Sequence, residues 1–135
     1  MAATEHHALC RGDRVAGSGG LAMDTDSEAL LAAGNALATR TWTAFLDELG
    51  WRSGDVRRVI THQVGAAHRR TLLESLRLDP TLDFPTFERF GNVGSVSLPL
   101  SLSLAAREGF VRAGDSVALL GIGSGLHCAM LGVEW

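Results

Sequence analysis

Lysine and tyrosine are both absent from these 135 residues, and all 12 basic side chains are arginine. Without a lysine amine the chain cannot form a Schiff base. Without a phenol it loses one of the usual acid–base groups. Only two cysteines occur, Cys10 and Cys128, with no CxxC spacing. They are too few for a disulfide framework, so a reducing, cytoplasmic setting is expected. No apolar run approaches the ~18 residues of a membrane span. The opening Met-Ala-Ala-Thr-Glu-His-His lacks a basic stretch followed by an apolar one, so no secretory signal is read there. A net charge of −3 offers no electrostatic footprint for nucleic acid or an anionic membrane. His6, His7, His68 and His127 have no ligand spacing and no supporting acidic cluster, so no metal centre is expected.

The chain carries 46% hydrophobic residues and 16 glycines, which fits one glycine-punctuated α/β domain. Residues 6–11 are compatible with a strand, and Gly17 to Gly20 with a loop. Thr25-x-x-Glu28 has capping-box spacing. Leu30, Leu31, Leu37, Ala38, Trp42, Phe45, Leu46 and Leu49 follow at helical spacing, and Gly50 ends that helix. Val56 to Ile60 reads as a short buried strand running into His62. Gly65 to Leu78 reads as a helix with Ala66, Leu72, Leu73 and Leu76 inward, stopped by Asp79-Pro80. A short strand is expected within Phe84 to Phe90. Asp115 to Ile122 and Leu126 to Trp135 are expected strands, joined by a glycine-rich turn.

The segment Ser95 to Leu104 satisfies two periods at once. Serine alternates with leucine or valine as in a half-buried strand, yet Val93, Val96, Leu100 and Leu104 also fall on one helical face. Pro99 argues against a central strand and is tolerated in a helix near its first turn. A helix is therefore expected. The whole order is then βαβαβαββ, with helix crossovers implying mainly parallel strands.

His62 follows a strand and precedes a helix, and in open α/β sheets ligands gather at the carboxyl ends of strands. Taken alone, such a histidine more often serves as a hydrogen-bonding loop residue. Asn92, between Gly91 and Gly94, is alone more often a turn former. Together they suit one chemistry. An enolate formed from a thioester needs two donors aimed at one oxygen, and an imidazole N–H and a carboxamide N–H can supply them.

Five segments occur in a fixed order: Val59-Ile-Thr-His-Gln63, Phe90-Gly-Asn-Val-Gly94, the helix leading to Gly109, Arg112-Ala-Gly-Asp115, and Leu120-Gly-Ile-Gly-Ser-Gly-Leu126. In this order the chain from about Met23 to Trp135 resembles the C-terminal half of a thiolase-fold condensing enzyme of the β-ketoacyl-ACP synthase III family. The resemblance implies one βαβαβαββ half of that fold: a mixed, mostly parallel five-stranded sheet with helices on both faces. Residues 1–22 would form a leading strand and glycine-rich loop, and residues 23–135 the synthase III C-terminal domain. It also implies that His62 and Asn92 are the histidine and asparagine of a Cys-His-Asn triad. Gly91, Gly123, Ser124 and Gly125 would line the substrate pocket, although a glycine turn is also an ordinary way to join two strands.

The triad's cysteine belongs, in that family, to an N-terminal half. The resemblance therefore implies a cysteine-bearing half or a full-length homologous subunit as partner, acyl-CoA or acyl carrier protein thioesters as substrates, and no cofactor. Arg69 and Arg70 are candidates to meet a CoA phosphate or a carrier protein, against the ordinary reading of a solvated helix face. Cys128, inside the last strand, reads as a small buried hydrophobe. Typical synthase III sequences have Ala-Asn after His-Gln and often Thr-Ser after Gly-Asn; here Val64-Gly65 and Val93-Gly94 stand instead. With His127-Cys128 in the final strand, these departures look closer to enzymes that join two fatty acyl chains head to head in long-chain olefin and β-lactone biosynthesis. Condensation then need not involve decarboxylation. Two alternatives remain: a decarboxylative synthase III fragment, and a non-catalytic subunit that stabilises a condensing-enzyme heterodimer. The uncharged Val93–Leu104 segment matches an inner helix, so an isolated chain is expected to associate through an apolar patch.

Overall fold

The structure is a computed structural model and describes residues 1–14, 21–123 and 125–135. The expected Gly17–Gly20 loop and Ser124 lie outside the described residues. The elements are β1 (Cys10–Arg14), β2 (Leu21–Thr25), α1 (Ser27–Leu49), β3 (Arg58–Thr61), α2 (Ala66–Leu76), α3 (Phe87–Phe90), α4 (Ser97–Arg107), β4 (Ser116–Gly123) and β5 (His127–Glu134), with short 3₁₀ turns between several of them.

β4 lies at the centre of a three-stranded sheet, parallel to β3 and antiparallel to β5. Its side chains divide by the two-residue period of a strand. Ala118 and Leu120 pack with Val59, Leu37, Leu72 and Leu73 on one face. Val117 and Leu119 pack with Ile60, Ala105 and Val111 on the other. Helices therefore cover both faces: α1 and α2 on one, α4 on the other. This explains why β3 and β4 read as continuous apolar runs.

The five expected strands do not form one sheet. β1 and β2 pair only with each other, as a separate antiparallel ribbon. The strand expected at 6–11 begins only at Cys10, because Thr4–Leu9 is a 3₁₀ turn. Near the N-terminus, Ala3 N–H donates to Leu126 O at 2.8 Å and Cys128 N–H to Met1 O at 2.8 Å, so residues 1–3 run beside the start of β5. The strand expected within Phe84–Phe90 is absent as well. Asp83 makes an isolated bridge to Val59, Pro85 removes a donor, and Phe87–Phe90 closes into a helical turn.

α1 is the longest element. Its cap is Asp26, whose Oδ1 accepts the Ala29 N–H at 3.0 Å, rather than Thr25. Thr25 is committed to β2, where it pairs with Cys10, and the next residue supplies the carboxylate. Gly50, at φ 65°, ends the helix in the left-handed region as expected. α2 stops at Leu76, earlier than expected, with Arg77 at φ 54°; Pro80 opens the following 3₁₀ turn instead. Ala66 is exposed.

α4 is helical, and Pro99 sits in its first turn. The face it buries is not the expected one. Ser97, Ser101 and Ala105 turn inward, whereas Val96 is 56% exposed. Small side chains four residues apart let the helix lie close on β3 and β4. The two buried serines differ in one respect. Ser101 Oγ is 2.6 Å from Thr86 Oγ1, while Ser97 Oγ has no partner. Ser97→Ala is therefore expected to leave stability unchanged or raise it by about 1 kcal/mol, and Ser101→Ala to lower it by about 1–3 kcal/mol. Urea unfolding midpoints of the two variants check this ordering.

Candidate active site

The carboxyl end of β3 is where the singled-out residues begin. The His62 N–H donates to Leu120 O at 2.9 Å and so continues the parallel ladder one residue past the strand. Its ring is half-buried, and desolvation holds its pKa below the ordinary histidine value. In the neutral range it is a neutral imidazole, with one N–H donor and one acceptor.

Gln63 turns the other way and is buried. Its Nε2 donates to Thr61 O at 2.8 Å and Thr61 Oγ1 at 3.2 Å. Its Oε1 accepts from the N–H groups of Thr86 at 3.0 Å and Phe87 at 3.2 Å. One side chain thus fixes the strand end to the start of α3, and α3 leads directly into Gly91-Asn92. Gln63 was quoted in the His-Gln motif but given no role by sequence reasoning; its place beside His62 was the available signal.

A second buried group supports the same strand end. Asp83 Oδ1 accepts from Thr61 N and from Thr61 Oγ1, each at 3.2 Å, and its Oδ2 accepts from Arg69 Nε at 2.6 Å. Arg69 also donates to Pro80 O at 2.7 Å. Burial pushes the Asp83 carboxyl up, with Arg69 and Thr61 opposing that shift. Arg69, expected to face CoA or a carrier, is thereby corrected: its guanidinium is engaged within the fold by a buried carboxylate. Arg70 is exposed and remains the outward member of the pair.

Asn92 is exposed on the loop that follows α3. Gly91 at φ 66° and Gly94 at φ 63° let the chain turn sharply on both sides of it. Asn92 Oδ1 accepts the Gly94 N–H at 3.0 Å, which fixes the carbonyl and leaves the amide hydrogens to donate elsewhere. Among the described residues no hydrogen bond joins the His62 and Asn92 side chains; the Gln63 link relates their two loops. Phe90 and Val93, which flank the asparagine, are also exposed.

Gly123 ends β4 opposite His127, and Gly125, at φ 98°, forms the turn that follows. Gly121, Ile122, Gly123 and His127 line an open groove beside Met1 and Ala2. Cys128 is 4% exposed, and burial pushes its thiol up, with Thr41 opposing. It is the inert, buried cysteine that its place in the last strand suggests. No cluster of His, Cys, Asp or Glu suited to a metal occurs among the described residues, and no helix among them is long and apolar enough to cross a membrane.

The lowered pKa of His62, and that of His68, which burial and then the His62 charge depress, carry a linkage consequence. The unfolded chain binds these protons more tightly than the native one. Their stabilising contribution is therefore complete above the unfolded value of about 6.5 and is lost as pH falls through the native values. Asp83, raised by burial, opposes this at lower pH. Thermal melting is expected to move to lower temperature from about pH 7.5 to about pH 5.5, and less so in His62→Gln, which lacks one of these titrations.

Comparison with known proteins places this geometry. Residues 46–135 match the family described as 3-oxoacyl-[acyl-carrier-protein] synthase III, C terminal. The acyl-CoA:acyl-CoA alkyltransferase of Shewanella oneidensis is 44% identical, over 100% of this chain and 40% of its own length. The β-ketoacyl-[acyl-carrier-protein] synthase III 5 of Streptomyces coelicolor is 35% identical over 68% of this chain and 28% of its own. A Xanthomonas campestris OleA variant solved with bound lauric acid and lauroyl-CoA superposes with a TM-score of 0.90 at 38% identity, covering 100% of this chain and 38% of that one. The chain thus spans about two-fifths of the length of the Shewanella and Xanthomonas proteins.

Proposed function

Because the chain belongs to the 3-oxoacyl-[acyl-carrier-protein] synthase III C-terminal family, we propose that it carries the oxyanion-stabilising part of a Claisen-condensing acyltransferase. The reaction joins two fatty acyl thioesters into a β-keto product. The observation that carries this reading is the buried Gln63 link: it ties the strand end that bears His62 to the segment that delivers Asn92.

The nucleophilic cysteine comes from residues outside these 135, on this polypeptide or on another. Its thiolate attacks the carbonyl of the first thioester, and the CoA thiolate leaves. A base then removes an α-proton from the second thioester. The resulting enolate oxygen accepts hydrogen bonds from the His62 ring N–H and the Asn92 carboxamide. The enolate carbon attacks the acyl-cysteine carbonyl, the new carbon–carbon bond forms, and the cysteine thiolate is released with the β-keto thioester. Neutral donors suit this step. They stabilise charge that exists only after deprotonation, which is where differential binding accelerates a reaction. No cofactor enters, since thioester activation supplies the driving chemistry.

Similarity to an acyl-CoA:acyl-CoA alkyltransferase and to an OleA structure holding lauroyl-CoA favours fatty acyl-CoA over a carrier-bound donor. The exposed apolar side chains Val64, Phe90, Val93 and Val96 lie next to the two donors in sequence. They suit a surface that a cysteine-bearing half covers. The test combines the chain with a cysteine-bearing condensing-enzyme half and follows free thiol released from a fatty acyl-CoA. Release above that of either part alone is expected. Equal release with His62→Ala would show a chain that only stabilises its partner.

A further inference from the structure

His68 is the third residue of α2, six positions after His62 and unused in the proposed mechanism. Its Nδ1 has essentially no solvent contact and no hydrogen-bond partner, and buried polar atoms in folded proteins are rarely left so. The ring borders a void of about 10 Å³ that His62 also borders, about the least volume that admits one water. The rest of the lining is almost wholly apolar. α1 contributes Gly34 and Ala38, β4 contributes Leu120 to Ile122, and Leu72, Met130 and the Cys128 thiol complete it. The titratable groups facing the void are thus His62, His68 and Cys128. The two rings also lie within electrostatic reach, since the His62 charge depresses the protonation of His68.

We infer that His68 is a positioning residue for His62, acting through one water held in the void that the two imidazoles share. Two neutral rings each offer one donor and one acceptor. The His68 Nδ1–H donates to the water, and the water donates to the His62 ring nitrogen that faces the void. That nitrogen is thereby fixed as an acceptor, and the other nitrogen of His62 must carry the proton, because the hydrogen bond at one nitrogen sets the tautomer at the other. The enolate donor is then present before substrate arrives. This deepens the oxyanion reading of His62, but its test reads the ring itself and does not depend on turnover.

The full chain is labelled with ¹⁵N-histidine, and the ring nitrogens are followed by NMR through a pH titration. A single His62 tautomer is expected in the wild type, a mixture in His68→Phe, and recovery of the single form in His68→Gln, whose amide can donate to the same water. As an independent measurement, His62→Gln is expected to shift the His68 titration to higher pH by removing the opposing charge. A His62 ring unchanged in tautomer in a folded His68→Phe protein would overturn the inference. So would a His68 titration unmoved by His62→Gln. If the tautomer changes as expected while reconstituted thiol release ignores both histidines, the coupling stands and the condensing assignment fails.

Discussion

Replacing His62 by alanine is expected to lower the rate of condensation in the completed enzyme by about 10²–10³-fold, the usual cost of removing one donor from an oxyanion hole. Asn92→Asp is expected to cost at least as much. Its carboxylate can still accept the Gly94 N–H that Asn92 Oδ1 now accepts at 3.0 Å, so the loop keeps its shape. It loses the amide hydrogens and places a negative charge against a negative enolate. In both variants the loss falls on kcat, with KM for the acyl-CoA little changed. The ground-state thioester carries no charge for these groups to bind, and an interaction made only in the transition state lowers kcat and kcat/KM together. Steady-state thiol release as a function of acyl-CoA concentration separates the two parameters.

The largest expected effect on stability comes from a residue first read as a surface contact. Arg69→Met is expected to destabilise the fold by about 3–5 kcal/mol, the cost of stripping the partner from a buried ion pair. The Asp83 side chain has no exposed area, and the Arg69 side chain is 22% exposed. Without the guanidinium, the carboxylate keeps only the two 3.2 Å bonds from Thr61. Its pKa, already raised by burial, rises further. A native pKa above the unfolded one means that protonation favours the folded state, so the deficit shrinks as pH falls toward the unfolded value of about 3.9. Asp83→Asn removes the buried charge, so the double variant is expected to lose less than the sum of the singles. Guanidinium unfolding of the three variants at about pH 7.5 and about pH 5.5 measures both effects. Because Asp83 holds Thr61, the strand end below His62 is expected to loosen in Arg69→Met.

The parts of the fold that were legible in the sequence are those written in a local period. Val56–Ile60 and Asp115–Ile122 carry the unbroken apolar runs that two-sided burial requires, and Gly50 marks its helix end because the left-handed turn needs it. The ambiguous Ser95–Leu104 segment resolved correctly through Pro99, yet its buried face did not. Serines meet the sheet there because distance to β3 and β4, not hydropathy, selects small side chains. Phe84, Phe87 and Phe90 stand three apart, the spacing of the helical turn they form, and were misread as a strand. Pairing across the chain was also illegible. Nothing local shows that β1 and β2 close on each other instead of joining the main sheet. His62 and Asn92 were found because short motifs surround them. Gln63, Asp83 and Arg69 were not, because their bonds join residues 14 to 24 positions apart, and such links leave no periodic trace.

The most direct test of the proposed half-site is the identity of the product. The chain is combined with a cysteine-bearing condensing-enzyme half and a fatty acyl-CoA, and intact-mass and small-molecule mass spectrometry follow the acylated cysteine and the condensed β-keto thioester. With the wild-type chain, both species are expected. With His62→Ala, the acylated cysteine is expected to accumulate while the β-keto product falls at least about a hundredfold, because only the enolate step depends on that donor. Equal yields of β-keto product from the two chains would contradict the account and leave this polypeptide a structural complement to another protein's active site.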